Sequence, residues 1–213
     1  MKNLWLSDLH LGNPHNDLTK LFDVLDKCQW DTIYLLGDIV DFDALNALGK
    51  VKKDDRNFLS WIMSYTLNGG KVYYVPGNHD RLMKLMIGKS FRGIYVIDEV
   101  NKRHTLGVHG DKNDLVLKWF EWLTSWGGGS IGKDTWHKLY IWIGGWRKKI
   151  IKEAQKRNFK RVITGHIHLV ERKTINEIDY INLGDWVGNS SWGEEIDNDF
   201  FLYSWKEKVK IHV

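Results

Sequence analysis

Five short clusters hold the residues of this chain that could do chemistry. Asp8 and His10 lie in Ser-Asp-Leu-His, and Asp38 and Asp41 in Gly-Asp-Ile-Val-Asp. Asn78, His79 and Asp80 follow Gly77, His109 lies in Val-His-Gly-Asp, and His166 and His168 lie in Gly-His-Ile-His. Asp, Asn and His offer hard oxygen and imidazole nitrogen, a donor set that suits Mn, Fe, Co or Zn better than Ca. No cluster offers a thiolate, so a structural zinc knuckle is not indicated. One carboxylate shared by two ions holds them roughly 3.5–4 Å apart. A water between ions so placed ionises near neutral pH and is aimed at phosphorus, while the ions take up charge on the phosphoryl oxygens. Together the clusters describe a two-metal hydrolytic centre.

Taken singly, each has an ordinary explanation. Asp-x-His can be a loop, Gly-Asp-x-x-Asp a turn and a helix cap, and His109 a core or surface residue. His-x-His is more telling, because alternate residues of an extended segment point the same way. With 9 His in 213 residues, five such clusters behind five apolar runs are not coincidence. Energetics agree. Burying that many carboxylates and imidazoles without cations would leave unpaired charge, at roughly several kcal/mol per ion.

The elements that must position these residues follow from periodicity. Residues 2–6, 33–36 and 72–75 read as buried strands ending at Asp8, at Asp38 and just before Asn78. Between them, Leu18, Leu21, Phe22, Leu25 and Cys28 mark one helix face, and residues 55–67 mark another helix that stops at Asn68-Gly69-Gly70. Ligands gathered beyond the carboxyl ends of strands are what an open α/β sheet provides. Further strands are predicted at 94–97, 104–108, 161–164, 170–175, 177–183 and 200–205, with a tight turn at Asn176-Glu177. Residues 115–153 read as helical and aromatic. The expected architecture is α/β (α+β): one domain over 1–213, a two-sheet sandwich flanked by helices, with 115–153 inserted as a Trp-rich helical cap.

Composition sets the outer bounds. With 43% hydrophobic and 27% charged residues the chain is globular, and its 213 residues suffice for one substantial core. The net charge of +4 permits an anionic partner without choosing one. Cys28 is the single cysteine and reads as a small core residue. No secretory signal or membrane-spanning window is visible, so a cytoplasmic location is expected.

The ordered set Asp8-x-His10, Gly37-Asp38-x-x-Asp41, Gly77-Asn78-His79-Asp80, His109 and Gly165-His166-x-His168 resembles the calcineurin-like metallophosphoesterase superfamily over residues 8–168. The resemblance implies a four-layer sandwich and two divalent ions, Mn foremost, with Fe, Co, Zn or Mg as alternatives. By it, Asp8, His10, Asp38 and His168 would hold one ion. Asp38, Asn78, His109 and His166 would hold the other, with Asp38 bridging. His79 would steady the phosphoryl group or protonate the leaving oxygen, oriented by Asp80. Asp41 would either bond to a ligand imidazole or cap a helix.

Residues 180–187 (Tyr-Ile-Asn-Leu-Gly-Asp-Trp-Val), and Val108-His109-Gly110-Asp111 with Asp114 ahead of the aromatic insertion, resemble bacterial UDP-2,3-diacylglucosamine pyrophosphatases. Those enzymes cut the diphosphate of an acylated sugar nucleotide in lipid A synthesis, with the insertion as a cap over the acyl chains. Their best-known branch carries Arg where this chain has His79, so the substrate can differ while the chemistry stays. A phosphomonoester, phosphoprotein or cyclic nucleotide is the alternative substrate, and a non-catalytic scaffold the alternative role.

The insertion has its own stripes: Leu115, Val116, Trp119, Trp122, Leu123 and Trp126, then Trp136, Leu139, Tyr140, Ile143 and Trp146. Arg147, Lys148, Lys149 and Lys152 follow directly. Trp beside cations suits an interfacial helix at an anionic membrane. Trp119, Trp122 and Arg147 are accordingly the expected substrate contacts. The stripes could equally pack on each other and the sandwich, or form an oligomer interface. Stacking of nucleic-acid bases on them is the weakest reading.

Overall fold

The computed structural model describes residues 1–113, 145–205 and 209–210. Strand β1 (Lys2–Leu6) lies parallel to β2 (Thr32–Leu36), β2 to β3 (Lys71–Val75), and β3 to β5 (Ile94–Val96). The short β4 (Ser90–Phe91) adds antiparallel at one edge. Beyond β1, the strands β11 (Ser191–Ile196), β12 (Asp199–Ser204) and β13 (Val209–Lys210) add antiparallel at the other. A second sheet runs β6 (Val100–Lys102), β7 (Thr105–Val108), β8 (Arg161–Thr164), β10 (Ile178–Leu183), β9 (Val170–Ile175) in spatial order.

Alternation along the strands builds the layers. Leu4, Leu6, Ile33 and Leu35 face α1 (Leu21–Leu25) and α3 (Lys53–Leu67), whose Val24, Leu25, Phe58 and Ile62 complete that core. Their neighbours Trp5, Tyr34 and Leu36 point the other way, onto Ile163, Ile181 and Leu183 of the second sheet. Trp5 stacks on Tyr34 with ring centroids 4.0 Å apart. The outer face of the second sheet is covered by α5 (Trp146–Lys156) through Trp146, Ile150, Ile151 and Ala154. Helix, sheet, sheet, helix is the four-layer order expected. Strands buried on both faces read as unbroken apolar runs, which is why β1, β2 and β3 are plain in the sequence.

Three of the departures from expectation have a plain physical reason. The helical face from Leu18 to Cys28 shrinks to α1, because i→i+3 turns bracket it at Leu18–Leu21 and Val24–Lys27. Strand β11 was not foreseen: its Glu194 and Glu195 look like a solvated stretch, yet both are buried, paired with Lys27 and Lys102 at 2.7 Å. Helix α2 (Phe42–Leu48) was foreseen only as a helix for Asp41 to cap, without bounds: none of its residues is buried, so its Phe42, Leu45 and Leu48 form no core-facing stripe. The Asn176-Glu177 turn is present between β9 and β10, with positive φ at both residues, as a two-residue hairpin turn of the primed type requires.

Of the segment expected as a cap, residues 114–144 lie outside the described residues, so Trp119 and Trp122 are not placed. The described remainder belongs to the body: Trp146, at the start of α5, is buried against the second sheet, and its indole N–H donates to Gly110 O at 2.7 Å. Among the described residues no helix is long and apolar enough to cross a membrane.

Candidate metal centre

Every cluster sits just past the carboxyl end of a strand: Asp8 after β1, Asp38 after β2, Asn78 after β3, His109 after β7, His166 after β8. Backbone hydrogen bonds lace these loops into one floor. Asp8 N donates to Gly37 O at 3.0 Å, His10 N to Asp38 O at 2.9 Å, Gly165 N to His109 O at 3.2 Å and Trp186 N to Asp8 O at 3.0 Å. Asp8, His10, Asp38, His166 and His168 all take positive φ, between 48° and 74°. That region is costly for residues with a Cβ, and strain of this kind collects where side chains must converge. Small residues make room. A Cβ on Gly77 would come within 2.7 Å of Asp38 N and His109 Cδ2, and one on Gly165 would overlap Ser7 Oγ and Asp8 Oδ2.

Three imidazoles are clamped from behind. His109 Nδ1 is 2.8 Å from Leu36 O, which can only accept, so Nδ1 carries the proton. His168 Nδ1 meets Asp185 Oδ2 at 2.9 Å, and His10 Nδ1 meets Asp41 Oδ2 at 3.2 Å. Each ring therefore presents Nε2 to the centre. The Nε2 atoms of His10 and His168 face each other at 3.2 Å. Asp8 Oδ1, fully buried and without an aligned donor, lies 3.8 Å from His10 Nε2 and 3.2 Å from His168 Nε2. On the other side, His109 Nε2 is 3.1 Å from Asp38 Oδ2 and 3.3 Å from Asn78 Oδ1. Asp38 Oδ1 accepts from the backbone N–H of His79 at 2.9 Å.

Lone pairs thus converge at two places. Asp8, His10 and His168 form one group able to hold a cation, and Asp38, His109 and His166 a second, with ligand atoms inside 4.8 Å of one another in each. A third such group, His10, Asp41 and His79, shares His10 with the first. Without a cation the repulsion is relieved by protons. Burial would lower the His109 pKa, but the Asp38 carboxylate overrides it and holds the imidazole at about 10. His168 also reaches about 10, burial being outweighed by Asp185 and Asp8. Burial would likewise raise Asp38, yet the charges of His109, His79 and His10 pull it well below its ordinary range. Protons occupy the positions that metal ions would take, and the donor set fits divalent ions.

Asp80 does not orient His79. Its Oδ2 accepts from Ile39 N at 2.7 Å, Val40 N at 3.3 Å and the Tyr74 hydroxyl, and its Oδ1 from Gly77 N at 2.6 Å. Those bonds spend both oxygens on tying the loop after β3 to the loop after β2. The carboxylates beside His79 Nδ1 are Asp41 at 3.3 Å and Asp43 at 3.5 Å. Asp41 does both things foreseen for it, since it holds His10 and its Oδ1 caps α2 through Ala44 N at 2.9 Å. Asp185 was missed as the carboxylate behind His168. Its signal was present, for Leu183-Gly184-Asp185 closes β10 just as Leu36-Gly37-Asp38 closes β2. Arg147, one of the expected substrate contacts, is paired with Glu171 at 2.5 Å and lies over the Tyr180 ring.

The model of the family described as calcineurin-like phosphoesterase matches residues 1–170. This chain belongs to that family. It is a metal-dependent phosphoesterase, and the family implies divalent metal ions, for which the two groups above are the candidate sites. A curated relative, UDP-2,3-diacylglucosamine hydrolase of Vibrio cholerae, is 26% identical over 237 aligned residues, covering 90% of this chain and 93% of that one. The Vibrio atlanticus protein of the same name is 28% identical over 123 residues, so the match spans about half of each, 53% and 45%. Among solved structures, an Escherichia coli phosphoesterase superposes with a TM-score of 0.54 at 15% identity, covering 100% and 97% of the two chains. That likeness is one of fold.

Proposed function

We propose that this calcineurin-like phosphoesterase cleaves a phosphoric anhydride or ester with two divalent ions held on either side of Asp38, and that its substrate is an acylated sugar nucleotide. The observation that carries the chemistry is that His109 Nε2 lies 3.1 Å from Asp38 Oδ2 and 3.3 Å from Asn78 Oδ1, beside the His10–His168 pair. Asp8, His10, Asp38 and His168 would hold one ion. Asp38, Asn78, His109 and His166 would hold the other. Bound there, divalent ions supply Lewis acidity: they lower the pKa of a water and draw charge off phosphoryl oxygens. The chain supplies the rest. Leu36 O, Asp41 and Asp185 fix the tautomers of His109, His10 and His168, so that Nε2 of each is offered to the centre. His79, 28% exposed at its side chain and backed by Asp41, donates a proton to the leaving oxygen.

The substrate class is supported by the full-length alignment to the Vibrio cholerae hydrolase named for UDP-2,3-diacylglucosamine, and by the run from Tyr180 to Val187 that supplies Asp185. Such a substrate places the enzyme at the cytoplasmic face of an anionic membrane. Manganese is the metal proposed, one of the ions, with Fe, Co and Zn, that mixed oxygen and imidazole donors suit. The test is hydrolysis of UDP-diacylglucosamine, a simple monoester and a simple diester, each with and without Mn. Metal-dependent turnover, fastest on the acylated sugar nucleotide, is expected. Equal turnover of all three would refute the substrate, and turnover that survives exhaustive chelation would refute the chemistry. His79→Ala should lower kcat on the order of 10²- to 10⁴-fold with both ions retained.

A further inference from the structure

Directly after Asp80, the backbone turns into α4 (Met83–Ile87), with Met83 N bonded to Asp80 O at 2.9 Å. Met83 and Ile87 pack into the core, and the side chains between and before them do not. Leu82 is 53% exposed, Leu85 82%, Met86 69% and, on β4, Phe91 48%. Apolar side chains this bare protrude from the surface, so they do not line a groove that could close on a small ligand. The charges of the same stretch, from Arg81 to Arg92, are Arg81, Lys84, Lys89 and Arg92, with no carboxylate among them. Across from it, Arg81 pairs with Asp111 at 2.8 Å and Lys84 with Asp98 at 2.7 Å, while Lys112 lies 3.8 Å from Asp98.

From this we infer that α4 and β4 form a docking surface for an anionic lipid bilayer, seated beside the catalytic mouth. Three arguments choose this occupant. First, cations ringing protruding Leu, Met and Phe complement an anionic surface with an apolar interior. Second, four bare side chains fall well short of the ~800 Å² per partner that a stable protein interface needs, whereas a bilayer accepts a small wedge because its interior is continuous. Third, the patch begins one residue after the Asn78-His79-Asp80 cluster, so docking there brings the mouth to the headgroup layer. The inference extends the acylated-substrate reading, and it locates membrane contact on α4 and β4.

Co-sedimentation of the full chain with vesicles tests it without reference to turnover. Vesicles of phosphatidylglycerol and phosphatidylethanolamine should bind it, and pure phosphatidylcholine vesicles should bind it at least about tenfold less well. The double substitution L85E/M86E should reduce binding to the anionic vesicles by about tenfold or more, with an unchanged melting temperature. Three results would overturn the proposal. They are no binding by the wild type, undiminished binding by L85E/M86E, and a concentration-dependent dimer that L85E/M86E abolishes. Because the assay needs neither metal nor substrate, its failure would leave the hydrolytic reading standing, and the reverse holds too.

Discussion

The two edges of the sandwich treat charge in opposite ways. Away from the site, on β10 of the second sheet and β11 of the first, carboxylates meet permanent cations. Asp179 receives Arg161 Nε at 2.8 Å and Arg172 Nε at 2.9 Å, and Glu195 receives Lys102 Nζ at 2.7 Å and Asn3 Nδ2 at 2.9 Å. At the carboxyl edge, among the described residues, Asp8, Asp38 and Asp185 are met by imidazoles, hydroxyls and backbone N–H groups, never by an ammonium or guanidinium. One edge is neutralised by the chain itself and is therefore scaffold. The other is complete only with protons or added cations, and a proton can be exchanged for a metal ion. Opposite charges fixed in the sequence give stability; a deficit of fixed cations gives a binding site.

Substitutions should separate the two edges sharply. Asp38→Asn removes the carboxylate that both ion sites would share. It should lower kcat/KM on the order of 10³-fold or more and cut the bound metal, read by elemental analysis beside a phosphodiester assay. Asp185→Asn leaves an acceptor for His168 Nδ1 but takes away the charge behind the ring. Metal affinity should weaken about 10- to 100-fold, measured by competition with a chelating dye. At the scaffold edge, Asp179→Asn should cost about 1–2 kcal/mol in urea unfolding and change neither metal content nor turnover.

A pH dependence also distinguishes the edges in the metal-free protein. His109 and His168 are raised from 6.5 to about 10. A raised pKa contributes stability that is complete below pH 6.5 and is lost as pH climbs through about 10. Metal-free protein should therefore lose stability over that window, whereas metal-loaded protein should not, because ions replace the protons. Loading should release protons, and apparent affinity should rise with pH until both imidazoles are neutral. Asp179 behaves oppositely: burial would raise its pKa, but Arg172 and Arg161 hold it below 3.8. Its contribution is present above that value and fades only as pH falls through the lowered one.

Much of this was legible from the chain alone. The residues in both cation groups were readable because each follows an apolar run, and a strand buried on both faces announces itself. His79 was readable as a residue of the site but its partner was not. Asp80 is adjacent in sequence, whereas Asp41 arrives from the neighbouring strand, and adjacency says nothing about where a carboxylate's oxygens are spent. Asp185 was hidden by its distance of 17 residues from His168, even though the same Leu-Gly-Asp ending appears on β2. Strand β11 was hidden for a different reason. Its glutamates are buried by pairing with Lys27 and Lys102, and pairing across distant segments leaves no periodic trace.

The account depends most on Asp38 lying between two cations. Electron paramagnetic resonance of the Mn-loaded chain, with the metal-to-protein ratio measured on the same sample, tests that directly. Two Mn per chain with the signal of an exchange-coupled pair is the predicted result, converting in Asp38→Asn to a weaker, uncoupled signal. A single ion per chain, or two that give independent signals in the unaltered protein, would contradict it.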